Sequence, residues 1–358
     1  IAHIRHPIAE PYMGGMEAHS ALLVRALRAA GHRVTLFAAA GSDDPDLVEI
    51  CERPYEQVLP WARFRGTPLL AGFQQRAFRA AWERIAAGGF DVVHNNSLFA
   101  PLIDWAWTEG RAMLTSLHIP PFGALREAVQ RGVIGAGQAF TVTSAAQLPL
   151  WFPTGAPANV SVAHNGIDTT RRSVQAQHGS HYLWAGRITP DKGTAAAAEA
   201  AHRAHLPLCI VGQVEDRAYF DAMVAPWLGD MVCYLGHLGR EELAQEMAVA
   251  RAVLVTPLWD EPFGLVAAEA LAAGTPVVGF DRGAIAEVVG DCGLLVRGGD
   301  VGALASAMPR AAHIDAMRCR RRAERHFSLP AMVTRYEAGY AAAMASASSR
   351  SSTVALLA

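Results

Sequence analysis

Glu261 and Glu269 stand eight positions apart in the segment Thr256-Pro257-Leu258-Trp259-Asp260-Glu261-Pro262-Phe263-Gly264-Leu265-Val266-Ala267-Ala268-Glu269. A carboxylate accepts two hydroxyl hydrogen bonds at once, so the pair suits a sugar and a ribose. Between them, the N–H groups of Phe263, Gly264 and Leu265 would open a helix, and an open helix start is an anion site. One turn would thus set hydroxyl acceptors beside a phosphate cradle. An ordinary strand-to-helix turn can carry the same residues on a solvated face, so the pair needs company. A second segment supplies it: Trp184-Ala185-Gly186-Arg187-Ile188-Thr189-Pro190-Asp191-Lys192-Gly193, where two cations leave a strand. Arginine grips an anion bidentately and lysine acts as a point charge. A lysine at a helix start opposes the macrodipole, an unfavourable placement that a bound anion would explain.

Taken in order, these segments resemble glycosyltransferase family 4, a retaining, nucleotide-sugar-dependent family with the GT-B fold. The Glu-x7-Glu stretch is similar to the family signature, and Gly186-Arg187 with Lys192-Gly193 to its diphosphate segment. Leu235-Gly236-His237-Leu238, followed by Glu241-Glu242-Leu243, looks like its base-binding turn. Gly14-Gly15 opens the first helix as in the family, and Asn165-Gly166-Ile167-Asp168 resembles its hinge. The resemblance spans nearly the whole chain and is most specific in the second half.

The resemblance implies an α/β protein: GT-B, two Rossmann-like domains facing across a cleft, with the C-terminal helix crossing back to the first domain. It implies catalytic roles for His118, Glu261, Arg187 and Lys192. Donor contacts would come from Gly14, Gly15, Gly186, His237, Leu238, Phe263, Gly264, Leu265 and Glu269. Glu269 would hold the ribose hydroxyls and Glu261 the sugar. His118 would reach the donor sugar, and Gly14-Gly15 would lie beside sugar and acceptor. Fixed cations at a departing diphosphate stabilise the transition state more than the ground state, so Arg187 and Lys192 would replace a metal. No metal and no cofactor are expected. The reaction would be front-face displacement with net retention, the leaving diphosphate assisting deprotonation of the acceptor. UDP is favoured by family frequency, and the acceptor would be a glycan, a lipid-linked sugar or a natural product.

Strand-like runs alternate with helical ones, which implies parallel sheets with right-handed crossovers. The strands expected are 1–6, 34–39, 92–95, 112–117, 140–143 and 160–164, then 182–185, 208–211, 231–235, 252–256, 276–280 and 294–297. Helical periodicity marks 16–30, 192–205, 240–250 and 265–273. Residues 1–165 are expected to form the acceptor domain, 166–181 a linker, and 182–330 the nucleotide-sugar domain. The linker is polar and has no apolar period. A crossover helix is expected over 331–344, with Val333, Tyr336, Tyr340 and Met344 at helical spacing, and a flexible Ser- and Ala-rich tail over 345–358.

The 358 residues are enough for two domains, and a net charge of −2 gives no pull toward nucleic acid. Five dispersed cysteines without a C-x2-C pair read as free thiols in a reducing cytoplasm. No apolar run could span a membrane and no secretory signal is visible. The chain opens at Ile1 inside an apparent strand, which reads as residues missing from its start. Arg318, Arg320, Arg321, Arg322 and Arg325 read as a solvated helix face before a peripheral membrane patch. Asp44-Pro45-Asp46 matches the metal-binding Asp-x-Asp of the other large glycosyltransferase fold, but Pro45 marks a loop turn. His19 reads as a packing or surface residue. A GT-B epimerase or hydrolase, and a non-catalytic two-lobed sugar-binding protein, are the alternatives. A dehydrogenase is disfavoured because no Gly-x-Gly-x-x-Gly follows a strand. Oligomeric state stays open.

Overall fold

The computed structural model describes residues 1–170 and 179–355. Two compact units emerge: Ile1–Gly166 together with the chain from Met332 onward, and Ile167–Ala331. Of the expected linker 166–181, residues 171–178 lie outside the described residues. Those on either side are anchored. The Ile167 N–H donates to the Phe327 carbonyl (2.6 Å), and the Gly179 N–H to the Val249 carbonyl (2.6 Å).

In the first unit, β1 (Leu36–Ala39) pairs with β2 (Leu47–Cys51). A separate four-stranded sheet runs β3 (Val93–Asn95), β4 (Met113–Leu117), β5 (Gln138–Val142) and β6 (Val160–Val162). Both sheets are parallel. The expected strand 1–6 forms only one isolated bridge, Ala2 to Asn96. Its neighbours explain why. The Ala2 N–H donates to the Phe37 carbonyl at 2.9 Å, but the carbonyls of Ile4 and Arg5 accept from the N–H groups of Tyr55 and Glu56 instead of a strand. The β2 strand was not expected, because a parallel neighbour seldom follows so short a connection as 40–46.

The second unit holds one parallel sheet of six strands in the order β12-β11-β10-β7-β8-β9. These are β7 (Tyr182–Ala185), β8 (Leu208–Val211), β9 (Val232–Tyr234), β10 (Val253–Val255), β11 (Val277–Asp281) and β12 (Gly293–Arg297). Each lies within a residue or two of its expected position. Strands covered on both faces must be apolar throughout, which makes them easy to read. Alanine covers the sheet: Ala197, Ala198, Ala200 and Ala201 of the helix Thr194–Ala204 are fully buried, as are Ala267, Ala268 and Ala270 of Leu265–Ala272. All five cysteines are free thiols, yet Cys209 and Cys233 face each other in register on β8 and β9, with their sulfurs 3.0 Å apart.

The last helix runs Leu329–Ala355. It begins two residues before the expected start and continues through most of the expected tail. Residues 356–358 of that tail lie outside the described residues. Alanine is the best helix former, so an Ala- and Ser-rich stretch can prolong a packed helix as readily as end it. From Met332 on the helix belongs to the first unit. Met332, Tyr336 and Ala343 are buried there, and Ser346 accepts from the Gly137 N–H at 3.0 Å.

Candidate functional site

The sheet order of the second unit places β7 beside β10, with β8 reached on one side and β11 on the other. At such a switch point the crossovers diverge and leave a crevice outside the carboxyl ends of the two strands. The segment after β7 carries Gly186, Arg187 and Lys192; the segment after β10 carries Glu261. They are fastened together. The Thr256 hydroxyl donates to the Gly193 carbonyl (2.9 Å) and accepts from the Trp184 indole (3.0 Å), and the Leu258 N–H donates to the Asp191 carbonyl (2.8 Å). Gly193 takes φ +69°, and a Cβ there would stand 1.9 Å from the Thr256 carbonyl oxygen. Only glycine allows this approach.

The result joins the two sequence motifs. Lys192 Nζ lies 2.7 Å from Glu261 Oε2. The Trp259 indole N–H donates to that same oxygen at 2.9 Å, and the ammonium sits 4.8 Å from the Trp259 ring centroid. Glu261 Oε2 thus has two donors. Arg187 is exposed and pairs with Glu215 at 2.7 Å. Both cations are therefore held by carboxylates. Neither Glu215 nor Trp259 was singled out from sequence. Trp259 lay inside the motif, and Glu215 follows the next strand, where only topology brings it near.

The turn beyond Glu261 leads through buried Phe263, whose ring meets Phe327 edge-on at 5.5 Å, to Gly264 as N-cap of the helix Leu265–Ala272. Glu269 is half-buried one turn further along that helix. The exits of β7, β8 and β9 stack through glycines. Gly186 donates to the Val211 carbonyl (3.0 Å) and Gly212 to the Gly236 carbonyl (2.9 Å); a Cβ on Gly212 would fall 1.7 Å from the Gly186 oxygen. His237, exposed, and Leu238, half-buried, follow β9. Glu242 accepts from the Gly239 N–H (2.9 Å) where the helix Arg240–Val249 begins.

The remaining candidates belong to the first unit and are described by themselves. Gly14 is the N-cap of the helix Gly15–Ala29, in extended backbone that any residue adopts. His118 directly follows β4 as a buried side chain, its Nε2 bonded to Asn96 Oδ1. Burial pushes its pKa down to about 4. His19, buried, lies with its ring 4.6 Å from that of His118, and its Nε2 meets the Tyr336 hydroxyl at 3.2 Å. His94 bonds Tyr340 at 2.7 Å and Ser116 at 2.8 Å. Burial, then neighbouring charge, holds His19 and His94 well below the usual histidine range. This buried polar cluster under the last helix was not foreseen, apart from His19 as a packing residue.

Two charged motifs have structural partners. Asp44 and Asp46 both take Arg28, at 2.7 and 3.2 Å. In the basic stretch, Arg318 pairs with Asp291 and Arg321 with Asp315. Arg320 donates to the Ala272 carbonyl (2.6 Å) and Arg322 to those of Glu287 and Val288 (2.7 and 2.8 Å). Those arginines cap helix C-termini, where a cation favours the dipole.

Residues 13–171 match the family model described as Glycosyltransferase Family 4, and residues 179–313 the one described as Glycosyl transferases group 1. The chain belongs to glycosyltransferase family 4. This family 4 chain is 28% identical over 334 residues to the phosphatidyl-myo-inositol mannosyltransferase of Mycobacterium leprae (strain TN), covering 85% of each. The structure of AviGT4, a glycosyltransferase involved in avilamycin A biosynthesis, superposes with a TM-score of 0.70 at 25% identity, covering 96% of this chain and 97% of that one. Sucrose-phosphate synthase from Thermosynechococcus elongatus shares the fold with a TM-score of 0.74 at 23% identity, over 95% of each chain. The family 4 chain is a glycosyltransferase with the GT-B fold.

Proposed function

We propose that this glycosyltransferase moves a sugar, with retention and without a metal, from a nucleoside-diphosphate sugar held by the second unit. The juxtaposition of Lys192 and Glu261 at the switch point of the six-stranded sheet carries this reading. Arg187 and Lys192 take the diphosphate. As the bond to the sugar breaks, negative charge grows on the β-phosphate, and two fixed cations favour that charge most in the transition state. Glu261 accepts from hydroxyls of the sugar and Glu269 from the ribose. The segments Gly186–Lys192, Phe263–Leu265 and His237-Leu238 line the nucleotide. His118 and Gly14-Gly15, in the first unit, serve the sugar and the acceptor. The leaving diphosphate assists removal of the acceptor's proton.

UDP is proposed as the carrier on its frequency in the family. A lipid-linked acceptor draws support from the mannosyltransferase relative, named for phosphatidyl-myo-inositol, and a natural product from the avilamycin enzyme. No helix among the described residues is long and apolar enough to cross a membrane; a cytoplasmic site of action belongs to the proposal. Within the arginine stretch Arg320 and Arg322 are engaged by helix carbonyls, whereas Arg318 and Arg321 hold only exposed ion pairs; peripheral membrane contact belongs to the proposal as well.

A ligand that binds only the folded state raises its melting temperature. UDP, GDP, ADP and dTDP should therefore rank by thermal shift, UDP first. EDTA should leave both the shift and transfer from the matching donor intact, and the product should keep the donor's anomeric configuration by NMR. Loss of transfer in EDTA, restored by Mn2+ or Mg2+, would refute the metal-free reading. Epimerised or merely hydrolysed donor, with acceptor present, would favour the alternatives.

A further inference from the structure

Asn96 follows β3, next to β4, and its buried side chain lies between two elements of the first unit. Its Nδ2 donates to the Ser20 hydroxyl on the helix Gly15–Ala29 at 2.8 Å. Oδ1 is turned to His118 Nε2. A carbonyl oxygen only accepts, so the hydrogen sits on Nε2. A neutral imidazole carries one hydrogen, which leaves Nδ1 as a bare acceptor. Burial keeps the ring neutral, with a pKa pushed to about 4. The Nδ1 atom has no protein partner among the described residues and is not among the fully buried unpaired atoms.

We propose that Asn96 is a positioning residue that locks His118 as the Nε2–H tautomer, so that His118 meets a bound sugar as an acceptor through Nδ1 and selects a hydroxyl there. The proposal rests on the reading that His118 addresses the sugar. It assigns a sign to that contact. A hydroxyl can donate to Nδ1, whereas a phosphate oxygen or a carbonyl cannot. His118 is therefore a reader of sugar hydroxyls and takes no part in holding the diphosphate. The ionisable groups around the ring are His19 of the first helix and His94 of β3, with Tyr336 of the last helix packed against His19. Of these, His19 and His94 are held neutral by the same burial.

The experiment uses the full chain with 15N-labelled histidine, the His118 ring signals being assigned by their loss in His118→Gln. At pH 7.5 the wild type should show His118 with a hydrogen on Nε2 and none on Nδ1. A hydrogen on Nδ1, or two tautomers in exchange, would overturn the proposal. Asn96→Leu should mix the tautomers and lower kcat about tenfold, a loss of one hydrogen bond's worth of stabilisation, while nucleoside diphosphate affinity stays unchanged. Asn96→Asp preserves shape and covers the case in which the leucine variant does not fold. Its carboxylate favours a charged His118 with hydrogens on both nitrogens, so transfer should fall near neutral pH and recover as pH rises, in a profile the wild type lacks. Scrambled tautomers with undiminished transfer would defeat the sugar contact itself, and with it the role read for His118. A locked tautomer that survives Asn96→Leu would defeat the positioning role alone.

Discussion

Arg187 and Glu215 form a partly exposed pair, so their attraction for each other is small and screened. A diphosphate offers Arg187 more. Arg187→Ala should lower transfer on the order of 10–100-fold, whereas Glu215→Ala, by releasing the guanidinium, should hold or raise diphosphate affinity; a loss in the second variant equal to the first would contradict the exchange. The same logic sharpens the division between the glutamates. Glu261 occupies Lys192 at 2.7 Å, so Glu261→Ala frees a cation for the diphosphate and should bind UDP alone as well as or better than wild type, yet transfer poorly. Glu269→Ala should bind UDP more weakly, by about 1–3 kcal/mol. Calorimetry with UDP, beside kinetics with the intact donor, separates the two. If Glu261→Ala weakens UDP binding as much as Glu269→Ala, Glu261 is misassigned.

Among the elements, the turn Pro190–Lys192 depends on a single glycine. Gly193→Ala would meet the Thr256 carbonyl in a left-handed conformation and should cost about 1–3 kcal/mol, seen as a lower melting temperature with loss of transfer. Gly229→Ala, with nothing within 4 Å of the added carbon, is the control. Equal stability of the two variants would remove the turn from the site. This turn shows where sequence reading succeeds and where it stops. Its strand is an apolar run ending in Gly-Arg, and both signals are local, so β7 and its cations could be found directly. The bond from Lys192 to Glu261 spans 69 positions and depends on β10 lying beside β7, which no local pattern specifies. In the first unit the polar residues His94, Ser116 and Thr141 stand on β3, β4 and β5, and bond Tyr336 and Tyr340 or one another. Polar residues in a strand read as surface. Here a helix from the far end of the chain buries them, and for that reason the cluster escaped notice.

The whole molecule should record these buried histidines in its response to acid. His3 and His118 have folded pKa values lowered from 6.5 to about 4 by burial, and His19 and His94 are lowered as well. Above pH 6.5 neither state protonates them and they contribute nothing. Between about 6.5 and 4 the unfolded chain takes up protons that the folded chain refuses, so stability declines as pH falls, by roughly 1.4 kcal/mol per pH unit for each group. The melting temperature should drop steadily from pH 7 to 5, and less steeply in His3→Asn; a flat profile would contradict the burial of these rings. Connectivity has a further consequence. The second unit is one continuous stretch, Ile167–Ala331, inserted into a first unit whose polar cluster needs Tyr336 and Tyr340. On the ribosome, domains generally fold as they emerge, the N-terminal one first. Here the expected order is the reverse, because residues 1–166 leave the ribosome before the helix that bonds His94 and Ser116, whereas 167–331 is complete once made. Expressed separately, the inner stretch should melt cooperatively and bind UDP, and residues 1–166 should not fold. Translation thus completes last the unit that it begins first, and a chain released before its final helix would carry a whole second unit beside an unfinished first one.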